Sequence, residues 1–446
     1  MSETVYTCEA GTFTGYKTES CVHVRGIRYA SSVRFGKPVP YIYSSGVHAC
    51  TEPAPAAMQG KSKMESFLFN TEFGSFRREE SPQYLSLTIP KKREGLLPVM
   101  VWYHGGGFRH GGCDMPNYNY EYLSAEQNVI IAGINYRLGI FGFTQDEAGN
   151  PGHPGLLDSI EGLRWIKRHI QAFGGDPDNI TIIGQSAGAE LCRCILLSSG
   201  TDDLFKRVIL QSDPMGTMLN REKMEAEVMA AVREIPAYCP AEKVLEVQDK
   251  IVSGIKEKGV PKYLVFAPHF GVYPLPPADG IEARLLEAAE NHPLLIGCNS
   301  REVSVYGGQI RPLIMLDNLK LTRDAVETQV RRLSRSIFND SCEAFAQQYS
   351  DLGGEVYEYL FFWQENRSFI AAGHAMDLQL LFGADKAEGT DTAMGFTAEE
   401  IREAGIPMRE LWGRFARGET LPEETENEVL SLRKLREHSE AGSEQN

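Results

Sequence analysis

Residues 184–188 read Gly-Gln-Ser-Ala-Gly and are the first candidate for chemistry in this sequence of 446 residues. In a G-x-S-x-G pattern, two glycines relieve crowding around a serine on a sharp strand-to-helix turn, which exposes the hydroxyl as a nucleophile. The pattern alone is weak, but its context fits. An apolar run at 180–183 precedes it and a helix-forming segment follows it. Ser186 is therefore the candidate nucleophile.

A glycine run, Gly105-Gly106-Gly107 between His104 and Phe108, directly follows another apolar run. Acyl transfer needs backbone N–H donors aimed at the oxygen that becomes negative, and consecutive glycines leave such donors unobstructed. Ala187, the residue after the candidate nucleophile, supplies a further donor from a helix N-terminus. A phosphate-binding loop is the alternative, but the run lacks the lysine of a P-loop and the G-x-G-x-x-G spacing.

The general base follows the nucleophile and the acid along the chain in this kind of architecture. His374 fits best, because it follows an apolar run by a short loop, where a base reaches over a sheet edge. His438 lies in a charged tail, whereas His269 and His292 stay open.

The acid that orients the imidazole belongs at the end of a preceding strand. Glu302 fits, four residues after the apolar run 294–298. Pattern alone leaves four competitors open: Asp213, Asp351, Glu355 and Glu358.

Short apolar runs predict strands that are buried on both faces. They are 98–103, 129–134, 180–183, 207–212, 294–298 and 356–362. Amphipathic helices are predicted at 156–173, at 187–198 and from Thr397 to Phe415. This alternation predicts the α/β class, with a mostly parallel sheet covered by helices on both faces. Segments 5–8 and 22–29, joined by a Gly/Thr-rich turn, predict an antiparallel hairpin at the sheet edge.

The chain lacks an internal repeat or a compositional break, so residues 1–418 are predicted to form a single domain. Charged, helix-prone segments at about 215–290 and 310–350 predict a helical cap over the carboxyl edge of the sheet. The polar tail, 419–446, is interpreted as a solvated helix that ends in disorder.

Composition limits the possible partners. A formal net charge of −15 repels phosphate backbones and anionic lipid head groups, which argues against nucleic acid as a partner. Neither a secretory signal nor an apolar stretch long enough for a bilayer is recognised, so a soluble, cytoplasmic protein without membrane insertion is expected. Nine cysteines without framework spacing suit reduced thiols, and no metal site is predicted.

Several blocks of sequence carry a resemblance to a known family. They include RGIRYA at 25–30, INYRLGIFGF at 134–143, LFKRVILQS at 204–212, SREVS at 300–304 and GHAMDLQLLFG at 373–383. With the two glycine motifs, they make the chain similar to type-B carboxylesterases of the α/β-hydrolase superfamily, akin to bacterial para-nitrobenzyl esterases. The resemblance spans most of residues 25–418.

The resemblance implies a serine hydrolase that cleaves small-molecule carboxylic esters through an acyl-enzyme intermediate. By it, Ser186, Glu302 and His374 form the catalytic triad. The oxyanion hole would consist of Gly106, Gly107 and Ala187, and no cofactor is implied.

One residue departs from the family pattern beside the nucleophile, since glutamate is usual where this chain has Gln185. The alternatives to ester hydrolysis are lipid, amide or transacylation chemistry with the same triad, and a non-catalytic binding protein on the same scaffold.

Overall fold

A thirteen-stranded β-sheet with helices packed against it forms the centre of the described chain. The computed structural model describes residues 3–70, 76–218, 220–236, 238–256, 262, 264–308, 316–317, 319–383 and 385–436. The strands are β1 (Glu3–Cys8), β2 (Gly11–Lys17), β3 (Cys21–Arg28), β4 (Val47–Ala49), β5 (Tyr84–Pro90), β6 (Leu97–Tyr103), β7 (Ile130–Ile134), β8 (Gly175–Gln185), β9 (Arg207–Gln211), β10 (Leu294–Asn299), β11 (Val356–Phe361), β12 (Glu424–Glu426) and β13 (Leu430–Lys434). Their spatial order is β1-β2-β3-β5-β7-β6-β8-β9-β10-β11-β13-β12, and β4 pairs with β2.

The centre of the sheet is parallel. Strands β7, β6, β8, β9, β10 and β11 pair in that order, all in parallel register, and they correspond to the six predicted apolar runs. Parallel neighbours need crossover connections, which the intervening helices provide. The predicted α/β class is confirmed.

Helices cover the sheet on both sides. They include α1 (Glu121–Gln127), α2 (Pro154–His169), α3 (Ala187–Leu196), α4 (Glu222–Arg233), α5 (Ala241–Gly254), α6 (Ile281–Asn291), α7 (Lys320–Ser334), α8 (Asp340–Asp351), α9 (Asp377–Phe382), α10 (Ala398–Ala404) and α11 (Ile406–Arg417). Along β6, Val99 and Val101 join one buried apolar cluster, whereas Met100 and Trp102 join another. Successive residues of a strand point to opposite faces, so the two clusters are the cores on the two sides.

The predicted helices are confirmed, except that the one predicted from Thr397 to Phe415 consists of two helices. Helix α2 and the 3-10 turn Ile170–Phe173 account for the prediction at 156–173. Thr397 caps α10 in a capping box with Glu400, as the sequence predicts. The chain then divides into α10 and α11 at Gly405, because Pro407 has no N–H to continue the ladder and suits a new first turn.

The antiparallel strands at the two edges of the sheet differ from the sequence prediction. The Gly/Thr-rich segment between the first two predicted strands is itself strand β2, which pairs with β1 and β3 and buries Phe13 completely. The solvated helix predicted in the tail is wrong, because residues 424–426 and 430–434 form β12 and β13, and β13 pairs with β11. Alternating Leu430 and Leu432 are buried there, and this short period-two pattern favours a strand.

Helices fill much of the two predicted cap segments. Helix α8, in the second of them, contacts β10 and β11 and so covers a face of the sheet. No helix in the described ranges is long and apolar enough to cross a membrane. The extent of the cap and the single-domain boundary at residue 418 stay predictions.

A buried ion pair holds the loop after β7. The Arg137 guanidinium donates two 2.7 Å hydrogen bonds to Asp158, and the Arg137 N–H donates a third of 3.1 Å to the same carboxylate. Both side chains are almost completely buried, at 1% and 0% exposed. In the same loop, Tyr136 donates to the His104 carbonyl, at 2.6 Å. The ion pair therefore supports the glycine loop that follows β6.

Replacing Asp158 by asparagine should lower the free energy of unfolding by about 3–5 kcal/mol, because it leaves a buried guanidinium without its counter-charge. Urea unfolding of both proteins measures this change. The matched control is Glu423→Gln, which removes an ion pair to Arg436 with 72% and 81% of the side chains exposed. Such surface pairs contribute little. Equal effects of the two substitutions would contradict the role given to the buried pair.

Candidate active site

Ser186 occupies the turn between β8 and α3. Its backbone angles are φ 58° and ψ −127°, which a non-glycine residue rarely adopts. The turn is held by a 2.9 Å bond from the Ser186 N–H to the Gln211 carbonyl, and the N–H groups of Ala189 and Glu190 donate back to the Ser186 carbonyl. This is the local geometry that the glycine-serine pattern predicts.

Close backbone approach explains both glycines of the pattern. A Cβ on Gly184 would lie 2.2 Å from the carbonyl oxygen of Gly188. A Cβ on Gly188 would lie 2.0 Å from the carbonyl oxygen of Tyr103, at the end of β6. No side chain fits at either distance, so both glycines let the turn at Ser186 pack against the strand that leads into the glycine loop.

The glycine loop lies beside Ser186, the candidate nucleophile. A Cβ on Gly105 would be 3.1 Å from the Cβ of Ser186. The loop is held by the Tyr136 bond to its first residue, His104, and by a 2.6 Å bond from the Gly139 N–H to the Phe108 carbonyl.

Three backbone donors at this point are unused. Within the described ranges, the N–H groups of Gly106, Gly107 and Ala187 donate to no protein acceptor. Ala187 opens α3, where the helix dipole favours negative charge. The three donors are those expected of an oxyanion hole.

The predicted base and acid are in contact. His374 Nδ1 lies 2.6 Å from Glu302 Oε2, and the His374 N–H donates to the Glu302 carbonyl at 2.9 Å. The other carboxylate oxygen of Glu302 accepts a 2.7 Å bond from the Asn299 N–H. Both side chains are buried, at 6% and 0% exposed. Donation from Nδ1 leaves Nε2 of the neutral ring as a proton acceptor.

The second imidazole nitrogen faces the turn that carries Ser186. His374 Nε2 lies 3.3 Å from the side-chain nitrogen of Gln185, the residue before Ser186. The rings of Phe338 and Tyr306 flank the imidazole, with centroids at 4.8 Å and 5.9 Å. The fold thus brings His374 and Glu302 to the turn that carries Ser186, although Ser186 and His374 are 188 positions apart in the chain.

The competing residues lie elsewhere or in other pairs. His269 bonds to Glu225 at 2.9 Å, and His292 stacks on Phe205, with ring centroids 4.4 Å apart. His438 lies outside the described residues. Among the competing acids, Asp213 lies 3.4 Å from Arg193, Glu355 pairs with Lys434, Glu358 pairs with Arg433, and Asp351 bonds to Gln347.

Sequence reasoning missed a second buried acid behind the His-Glu pair. Asp377 accepts a 2.7 Å bond from Gln211 and a 3.3 Å bond from Asn299, whose side chain also donates to the Gly373 carbonyl. Burial, together with the nearby charge of Glu302, raises the pKa of Asp377 to about 6. The only signal in the sequence is its place three residues after His374.

Among the described residues, no group of three or more His, Cys, Asp or Glu side chains is arranged to hold a metal ion. The arrangement instead offers a hydroxyl, a histidine bonded to a carboxylate and a set of unused backbone donors. Chemically, that combination suits nucleophilic acyl transfer.

Known proteins are similar to this chain in sequence and in fold. A model of the carboxylesterase family matches residues 2–329. A para-nitrobenzyl esterase of Bacillus subtilis (strain 168) is 28% identical over 455 residues, covering 94% of this chain and 90% of that protein. A probable N-octanoylanthranilate hydrolase of Rhodococcus erythropolis is 28% identical over 426 residues, covering 93% of each. A solved structure of a thermophilic PNB esterase has a TM-score of 0.79 and 26% identity, covering 95% of this chain and 93% of that chain. The predicted α/β-hydrolase fold is confirmed.

Asp377 should make stability depend on pH. The pKa of Asp377 is higher in the folded chain than its ordinary value of 3.8, so the unfolded chain loses this proton first as pH rises. The acid therefore costs stability progressively between about pH 4 and pH 6. Asp377→Asn removes this cost. The variant should gain stability relative to wild type as pH rises. The difference between their free energies of unfolding should grow by about 2 kcal/mol from pH 4.5 to pH 7.5, measured by urea unfolding. A difference that does not vary with pH would contradict the raised pKa.

Proposed function

This chain belongs to the carboxylesterase family and hydrolyses carboxylic esters, and we propose that it does so through an acyl-enzyme formed on Ser186, with His374 and Glu302 completing the triad. The observation that carries the proposal is the 2.6 Å bond between His374 and Glu302, which leaves the other imidazole nitrogen facing the nucleophile turn.

In the first half of the reaction, His374 Nε2 accepts the proton of the Ser186 hydroxyl as its oxygen attacks the ester carbonyl. The carbonyl oxygen becomes negative and accepts hydrogen bonds from the N–H groups of Gly106, Gly107 and Ala187. Glu302 stabilises the imidazolium through Nδ1. The imidazolium then protonates the leaving alcohol, and the acyl group stays on Ser186.

Water completes the cycle. His374 accepts a proton from a water molecule that attacks the acyl-enzyme, and the same backbone donors stabilise the second oxyanion. The imidazolium returns this proton to the Ser186 oxygen as the carboxylic acid leaves. Every proton transfer uses His374 Nε2, so the proposed reaction requires no cofactor.

Replacing Ser186 by alanine should lower kcat for a short-chain nitrophenyl ester by at least about 10⁴-fold, because the acyl acceptor is lost. Labelling by a fluorophosphonate should disappear with it. The matched control is Ser212→Ala, since Ser212 follows the neighbouring strand β9 and also has a positive φ, 51°. Labelling that persists in the Ser186 variant would refute the assignment of the nucleophile.

Replacing Glu302 by glutamine should lower kcat by about 10³–10⁴-fold with little change in KM. The imidazolium of His374 would lose its counter-charge, and the neutral ring would no longer be held in the tautomer with the proton on Nδ1. Steady-state kinetics on the same ester measure both parameters. The control is Glu225→Gln, which alters a half-buried His-Glu pair, at His269. An equal loss of kcat in both variants would contradict the assignment of Glu302 as the acid of the triad.

A further inference from the structure

The side chain of Gln185 lies between the candidate base and the glycine loop. Gln185 is 3% exposed, and its amide nitrogen is 3.3 Å from His374 Nε2. Its amide oxygen faces the loop, since a Cβ on Gly105 would lie 3.0 Å from that oxygen. The amide thus occupies space at the point where proton transfer is proposed, and the mechanism above assigns it no role.

The chemistry of the two groups fixes the direction of this contact. With Nδ1 donating to Glu302, the neutral ring has a single lone pair, on Nε2, and accepts there. The amide nitrogen of Gln185 has only N–H groups to offer, so it donates. The hydroxyl of Ser186 must use the same lone pair to transfer its proton. The amide and the hydroxyl therefore compete for one acceptor.

We propose that Gln185 is a positioning residue, whose amide holds the neutral imidazole of His374 by donating to Nε2 and releases it when Ser186 transfers its proton. This inference rests on the proposed function. The amide keeps the ring in the tautomer that accepts a proton, and it selects the uncharged ring over the imidazolium. Protonation of Nε2 breaks the bond, because the ring nitrogen then becomes a donor that faces another donor.

The charges around the imidazole make this selection matter. Glu302, from the loop after β10, and Asp377, on α9, are the acids beside His374, and each favours the imidazolium when ionised. Tyr306 and Phe338 contribute rings from two other segments. Gln185 contributes a neutral donor from β8. A glutamate at this position would accept from Nε2–H, so it would bond to the protonated ring only.

Glu and Met substitutions at position 185 test the proposal, since glutamate reverses the hydrogen bond and methionine removes it at similar length. The readout is the acid limb of kcat/KM against pH, which reports the base in the free enzyme. In Q185E this limb should move upward by about one pH unit, which lowers kcat/KM about tenfold on the acidic side of the profile. In Q185M the shift should be smaller and in the same direction.

The control for charge alone is Q171E, which adds the same charge at an exposed residue outside the site and should leave the limb unchanged. Thermal unfolding of each variant accompanies the kinetics. A folded Q185E whose limb coincides with wild type overturns the proposal. A loss of kcat at all pH values without any shift also overturns it, because a merely structural role has that effect.

Titration of the ring itself separates this inference from the proposed function. In protein with isotope-labelled histidine, the His374 resonance is identified by its loss in H374Q and followed by NMR against pH. It should titrate at higher pH in Q185E than in wild type, whether or not an ester is turned over. Inactivity of the wild-type chain on esters would defeat the proposed function, whereas identical titration of the ring in both proteins would defeat only the role of Gln185.

Discussion

The parallel alignment of six central strands is the constraint on which the site depends. Carboxyl ends of parallel strands share one edge of a sheet, so every loop that follows such a strand begins there. The glycine loop follows β6, Ser186 follows β8, Glu302 follows β10 and His374 follows β11. Residues that are far apart in sequence thereby meet without any local interaction between them. The apolar runs that specify the strands therefore also bring the candidate site residues together.

Local backbone demands then set the fine geometry at that edge. The positive φ of Ser186 is tolerated because Gly184 and Gly188 allow close contact with neighbouring backbone, and because Gln211 accepts from the serine N–H. Glu302 and His374 are joined by two hydrogen bonds, one between the side chains and one from the His374 backbone N–H to the Glu302 carbonyl, which limits the orientations open to the imidazole.

The sequence predicted features that rest on short-range patterns and missed those that rest on pairing. Apolar runs, helix periodicity and the two glycine motifs are local, and the elements they indicate are found where expected. Strand β2 was missed because glycine and threonine are typical of turns, although its neighbours on both sides supply the hydrogen bonds. Asp377 and Asn299 were missed because a buried polar network has no period. The contact between Gln185 and His374 links residues far apart in sequence, and neither composition nor spacing reveals it.

Strand β12 has a consequence for how the protein behaves among other copies of itself. The edge strand of a sheet presents unpaired N–H and C=O groups, and a strand of another chain can pair with them. Here the outermost strand is only three residues long, and two of them are exposed glutamates, Glu424 and Glu426. The apolar strand β11 lies two positions further in, shielded from such recruitment. This short acidic edge disfavours pairing with the same edge of another copy, because the like charges of Glu424 and Glu426 would meet.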